Sequence, residues 1–394
     1  MRLPIAIMAL SLVGVGAPAA AAAGPAHVLA AAPPDSLAIA PADGLVAAVV
    51  ARLGPTTQVN VAARSTSEWG FGTAVRPAPA AEHAYPEGWL FVARRATGIW
   101  RVALEGETEF ATLSADSAIL SADERRTLGA VASTTSRSAP EATSDRRTGM
   151  RLPFTLGQSW RYTGGPHPMS GSVRSSIDLA GGDGKVLAAR SGLAYTMCKS
   201  GKGWVRVVHD RGYATDYYHL EGNIKVDGKQ VAEGAFLGNI GNDVSCGGRS
   251  TGKHVHFSLR RDGAYVAIDR YLFGKWVILA TGGSYDGAAM HGSKRVSVGA
   301  SLYNYGALGL TQGVVDTDGG TTLNRRSGPG VGNAVVGKLA DGATVTIACS
   351  ARGTKHTGRN GYVTDLWNRL ADGSWVSDAY VWTGTGAPVN GNCT

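Results

Sequence analysis

The sequence predicts a mainly β chain, with an α+β unit at the front and a small antiparallel barrel at the end. Three observations predict it. Apolar and polar side chains alternate in Ala214-Thr215-Asp216-Tyr217-Tyr218-His219-Leu220 and in Lys253-His254-Val255-His256-Phe257-Ser258-Leu259, the period of a strand. Near the front, a helical period at Leu45 to Leu53 stands beside strand-like runs at Gly88 to Ala93 and Gly98 to Leu104. After residue 312, glycine and Asp-Gly turns separate short strands at regular spacing, including Val335 to Leu339, Ala343 to Ile347 and Tyr380 to Trp382.

Taken in order, the chain opens with Met1-Arg2, an apolar run from Leu3 to Val15 and an alanine tract from Ala19 to Ala23, which read as a signal peptide over residues 1–23. The run is too short for a membrane anchor, and no later segment reaches about 18 uninterrupted apolar residues, so no membrane partner is expected. Residues 24–130 form the α+β unit. Residues 131–149 are rich in Ser, Thr, Arg and Pro without periodicity and read as an exposed linker carrying Arg146 and Arg147. Residues 150–305 hold the chemically suggestive motifs, and residues 312–394 are the third unit. Export permits disulfides, and the four cysteines fall into two close-range pairs, Cys198 with Cys246 and Cys349 with Cys393. The first closes a loop containing His219, worth on the order of 4 kcal/mol by loop entropy.

Because strand side chains alternate, His254 and His256 share one side while Val255, Phe257 and Leu259 point into a core. Two neighbouring imidazoles suit a metal site, where one binds the ion and the other handles protons. A catalytic zinc site takes three protein ligands and leaves a position for water. Of the nine histidines, His27 and His83 lie in the front unit, and His291 and His356 lie well downstream. His209 sits in a hairpin turn, Val208 to Gly212, and reads as a surface histidine. His167 and His219 remain. His167 occupies the stiff turn Gly164-Gly165-Pro166-His167-Pro168. Eleven residues later, Asp178 stands between Ile177 and Leu179, where a carboxylate is disfavoured unless its charge is compensated. A divalent cation would compensate it.

This arrangement resembles the lysostaphin-like zinc metallopeptidases that cut peptidoglycan cross-bridges, and especially their beta-lytic branch, over residues 150–305. The residues that carry the resemblance are His167 and Asp178, Tyr218-His219-Leu220, the glycine-punctuated Gly234 to Gly241, and Gly252-Lys253-His254-Val255-His256-Phe257. In most of the family the first histidine and aspartate are closer in sequence; the beta-lytic branch has a comparable insertion. The resemblance implies a twisted antiparallel sheet with one Zn2+ per chain in a groove on one face. It implies that His167, Asp178 and His256 bind the zinc, that His219 and His254 are the catalytic pair, and that Tyr285, in Gly283-Ser284-Tyr285-Asp286, has an oxyanion role. Which histidine is the base stays open. The phrase Leu323 to Gly330, with the strands after it, resembles the bacterial SH3-like domains that accompany wall hydrolases. Trp367, Trp375 and Trp382 are then candidates for a wall-binding groove or for the core.

The function expected from this resemblance is a secreted, extracellular endopeptidase acting on peptide cross-links of bacterial peptidoglycan, at glycine-containing or D-alanyl bonds. The alternative is an inactive wall-binding protein on the same scaffold. The formal charge is +8, but the basic residues are spread rather than clustered and the chain is exported, so a polyanionic cell wall rather than nucleic acid is the expected partner of a monomer. Charge also divides along the chain. Residues 24–150 carry 11 basic and 13 acidic side chains, and residues 151–280 carry 17 and 10, so an acidic pro-region is expected to dock on a basic catalytic unit, cover its cleft and be released by cleavage near Arg147.

Overall fold

A computed structural model describes residues 44–61, 64–81, 84–130 and 145–394. The expected signal peptide, His27, His83 and residues 131–144 of the expected linker lie outside these. The fold is mostly β, as the sequence predicts, and its largest sheet is antiparallel throughout. In spatial order its strands are Asp227–Val231, Gly192–Thr196, Gly203–Val208, Tyr213–Leu220, Val255–Arg261, Ser176–Ala180, Ser159–His167 and Ser301–Tyr303, with a ninth, Ala264–Tyr265, paired to the end of Val255–Arg261. Alternation sorts the side chains. Ile177, Leu179, Tyr217, Val255, Phe257 and Leu259 turn to one face and pack with Trp160, Tyr162, Phe273 and Trp276. Register holds the opposite face, with His256 paired to Asp178 on one side and to Tyr218 on the other.

The front unit is a four-stranded antiparallel sheet, Gln58–Val61, Trp69–Arg76, Glu87–Ala96 and Ile99–Leu104. Helix Leu45–Leu53 buries Leu45 and Val49 on one face of it, against Val59, Ala74, Phe91 and Val102. The other face does not close on itself. Phe71, Leu90, Val92 and Phe110 share a core with Tyr195, Trp204 and Tyr218 of the largest sheet and with Met169 and Met197 just beyond its strands. Polar groups cross the same boundary: the Arg206 guanidinium is fully buried between Asp216 and Glu105, with Arg260 also beside Glu105. The helix Ala122–Gly129 begins with a capping box between Ser121 and Glu124, and buried Glu124 also accepts a hydrogen bond from Tyr195 at 3.1 Å. The C-terminal residues form a seven-stranded antiparallel sheet over Val315, Ile347, Leu370, Val376 and Val381. There Trp367 is buried, while Trp375 and Trp382 are half-buried. Both expected disulfides are present, Cys198–Cys246 and Cys349–Cys393.

Two expectations are corrected. The strand Arg147–Met150 pairs in parallel with Leu272–Phe273, so residues 147–149 are not part of an exposed linker. Arg147 is held because all three of its guanidinium nitrogens are engaged, by the Asp145 carboxylate and by the Leu310 and Val389 carbonyls. His209 is not a surface histidine. It is 1% exposed, its Nδ1–H donates to the Ser191 carbonyl at 2.9 Å, and Nε2 lies 2.8 Å from Thr215 Oγ1. The hairpin folds this side chain back over its own sheet, against Gly192, where a Cβ would stand 3.0 Å from Nδ1.

Burial is the main cause that pushes the His209 imidazole down to about 4. The unfolded imidazole titrates near 6.5, so its contribution is fully present above that pH and is lost as pH falls toward 4, on the order of 3 kcal/mol. Denaturant midpoints at pH 7.5 and 4.5 should therefore differ less for His209→Gln than for the parent; equal differences would contradict this account.

Candidate metal centre

Three strands bring the donors together. His256 and Asp178 are cross-strand partners on adjacent strands, so their side chains leave the same face side by side. His167 arrives by a different route. Its strand shifts register between Tyr162 and Gly164 and again between Gly164 and His167, and these bulges aim the imidazole back over Asp178. Gly164 is required there, since a Cβ would stand 2.5 Å from Asp178 Oδ2.

The result is a tight cluster. His167 Nε2 lies 3.0 Å from His256 Nδ1, and Asp178 Oδ1 is 3.3 Å and 3.2 Å from those two atoms. His254 Nε2 is 3.6 Å from the same oxygen. His167 Nδ1–H is spent on the Gly165 carbonyl at 2.6 Å, which leaves Nε2 as a lone-pair donor facing the carboxylate. Among the described residues Asp178 Oδ1 has no hydrogen-bond partner although it is buried. Two lone pairs and a carboxylate oxygen converging in a buried space fit a cation rather than one another. Burial would raise the Asp178 carboxyl, but the surrounding imidazoles outweigh it and hold it well below the usual range. Burial pushes the His256 imidazole down to about 4, so it is neutral and able to donate a lone pair at neutral pH.

His219 joins this face by breaking the alternation. Tyr217 faces the core and Tyr218 the opposite side, so a regular strand would return His219 to the core; instead its φ of 66° turns the ring outward, stacked on Tyr218 with centroids 4.3 Å apart. Its Nδ1–H donates to the Asp243 carbonyl at 2.9 Å. His254 donates likewise to the Gly252 carbonyl at 2.6 Å, and the two rings are 4.9 Å apart. Each imidazole therefore keeps Nε2 available for a proton. Burial, followed by repulsion from His254 and His256, lowers His219 to about 3. Two overlapping groups could hold an ion, His167 with Asp178 and His256, or His219 with His254 and His256. Only the first contains a carboxylate.

All six residues singled out from the sequence line one cleft of about 310 Å³. Tyr285, with φ 72°, stacks on the His167 ring at 4.0 Å. The sequence did not reveal the cleft's other wall. Ala81, Ala84, Tyr85 and Pro86 of the front unit also line it, and the Tyr85 and Tyr285 hydroxyls meet at 3.1 Å. Backbone contacts tie this segment down, with Ala78 N donating to the Cys246 carbonyl and Gly248 N to the Ala78 carbonyl, both at 3.3 Å. No local pattern near Tyr85 signals a contact 200 residues away.

Residues 172–268 match the model of Peptidase family M23. Over 149 residues the chain is 35% identical to Protease LasA of Pseudomonas aeruginosa, a match spanning 35% of each chain. Over 151 residues it is 34% identical to the Beta-lytic metalloendopeptidase of Lysobacter enzymogenes, spanning 35% of this chain and 83% of that protein. A solved structure, the deep-sea M23 metalloprotease pseudoalterin, is 30% identical, with 39% of this chain and 97% of that one covered at a TM-score of 0.36. The chain thus spans about a third of the length of LasA. Asp178, His219, His254 and His256 lie within the matched residues; His167 and Tyr285 lie outside them and are brought in by the fold.

Asp178→Asn removes the one anionic donor. The divalent cation retained after dialysis, measured by plasma mass spectrometry, is expected to fall from about one per chain to near zero, while the far-ultraviolet dichroism is preserved. Full retention would contradict the assignment.

Proposed function

Because the chain belongs to peptidase family M23, we propose that it is a secreted zinc endopeptidase that hydrolyses peptide cross-links of bacterial peptidoglycan. The observation that carries this reading is the convergence of His167 Nε2, Asp178 Oδ1 and His256 Nδ1 around a buried carboxylate oxygen with no partner of its own. Both relatives described above are proteolytic by name, and one is an endopeptidase. Two disulfides suit an exported chain.

His167, Asp178 and His256 are the proposed zinc ligands. A bound zinc ion would supply a Lewis acid and make water nucleophilic near neutral pH. The chain's own groups do the rest. Of His219 and His254, each with its Nδ1–H fixed on a backbone carbonyl, one accepts the proton of the attacking water at Nε2 and returns it to the leaving amine, and the other, when protonated, stabilises the oxyanion. Burial keeps His219 neutral in the resting site. The Tyr285 hydroxyl, at the rim beside His167, donates to the oxygen that gains negative charge.

The front unit is the proposed inhibitory pro-region. Its segment around Tyr85 occupies the wall a substrate would need, and the shared core holds it there. Residues 131–144 rather than Arg147 are the proposed place of cleavage, since Arg147 is bound within a strand. A cut in that stretch alone should leave the two parts eluting together in size-exclusion chromatography with the cleft still closed, activity appearing only once the front unit is degraded. Immediate full activity on cutting would contradict the inhibitory role.

The function itself is tested by mass spectrometry of soluble fragments released from purified peptidoglycan by the trimmed protein beside its His256→Ala variant. New peptide termini from the parent, with at least about a thousandfold fewer from the variant, are expected. Wall binding by zinc-loaded parent without fragments would contradict it.

A further inference from the structure

A second cavity, of about 190 Å³, is lined by residues of the C-terminal sheet together with Arg146 and Arg270 from the preceding region. Three arginines from distant parts of the chain meet there, Arg146, Arg270 and Arg359, with Tyr362 and Trp382 as its aromatic walls. Arg359 is only 6% exposed. Its guanidinium carbon lies 4.4 Å from the Trp382 ring and 4.6 Å from the Tyr362 ring, and Nη1 donates to the Asp378 carbonyl. Such stacking fixes the orientation of a charge that is costly to bury.

Nothing lining the cavity is a carboxylate among the described residues. The acids nearest these arginines are partly spent on other groups, although Asp269 Oδ2 pairs with Arg270 Nε and Asp318 accepts from Asn360 N at 3.0 Å. Asp316 accepts from Trp382 Nε1 at 2.7 Å, Asp378 accepts from Asn368 at 2.9 Å, and Asp269, 3.7 Å from Arg270, accepts from Ala280 N at 2.8 Å. The lining itself is rich in donors, while half-buried Asp269 and exposed Asp318, each paired with a lining residue, stand beside it.

Backbone conformation marks the same place. Arg270 and Asn360, both lining it, have φ of 61° and 51°. The metal cleft has the same signature in His219 and Tyr285, so half of the eight described non-glycine residues with left-handed backbone line these two cavities. Left-handed conformations in non-glycine residues are costly and persist where surrounding structure imposes them, often at ligand sites.

We propose that this cavity binds an oxyanion, a carboxylate or phosphate group, with Arg146, Arg270 and Arg359 supplying charge-assisted donors and the Tyr362 and Trp382 rings packing against the group that carries it. The site is separate from the metal centre. On the reading proposed above, the oxyanion is either the carboxylate end of a wall peptide or the phosphate of a wall polymer.

Calorimetric titration of the full chain in chloride buffer tests this, with sodium phosphate in one arm and D-alanyl-D-alanine in the other. Binding of at least one probe, one per chain, is expected, and which probe binds identifies the source. The Arg270 side chain is 58% exposed, and Arg270→Asn keeps a residue that tolerates the left-handed backbone while removing the charge. That variant and Arg146→Ala should each weaken binding about tenfold or more, with metal content and thermal unfolding unchanged. Absence of binding by both probes, or affinity unaltered by both variants, would overturn the proposal. The metal-dependent release of wall fragments is a separate measurement, so failure here and failure of the peptidase reading are distinguishable.

Discussion

The Asp178 carboxylate stands on a strand facing three imidazoles, and the local structure is arranged around that one buried charge. A carboxylate in such a place is destabilising unless it is neutralised. The bulged strand that carries His167, the glycine at 164 that lets the carboxylate approach, and the cross-strand register with His256 all serve the same convergence. Fixing the tautomers of His167, His254 and His219 through the Gly165, Gly252 and Asp243 carbonyls then leaves Nε2 of each of these three rings without its proton.

The boundary with the front unit follows from the other face of the same sheet. Trp204, Tyr195, Met197 and Tyr218 would be a large exposed apolar surface without Phe71, Leu90, Val92 and Phe110 against them. The buried Arg206 needs acceptors on every side, and Glu105 and the Gly88 carbonyl complete what Asp216 begins. Ion pairs of this kind add little net stability, but leaving one partner buried alone is strongly unfavourable. They therefore favour one docked arrangement over sliding ones, and that arrangement carries the Tyr85 segment over the metal donors.

Much of the site was legible because it rests on local rules. Alternation placed His254 and His256 on one side, and an aspartate between two apolar strand residues is a local conflict that asks for a cation. What was not legible depends on non-local packing or on single dihedral angles. The sequence of Tyr217-Tyr218-His219 does not reveal that His219 leaves the strand period with a positive φ. His209 looked like a turn residue because its hairpin is local, whereas its burial is decided by Ser191 and Thr215. Arg147 looked like linker because its partners, Leu310 and Val389, lie far along the chain. The front unit was recognisable as α+β from its periodicity, but its sharing of a core with the next unit has no sequence period at all.

The central claim is that the cation belongs to the group containing the carboxylate, with His219 and His254 left free for protons. Anomalous diffraction from zinc-loaded crystals, collected on both sides of the zinc absorption edge, tests it most directly. The account predicts a single peak bonded to His167 Nε2, Asp178 Oδ1 and His256 Nδ1. A peak held instead by His219, His254 and His256 would contradict it, because the two imidazoles assigned to proton transfer would then be occupied by the metal.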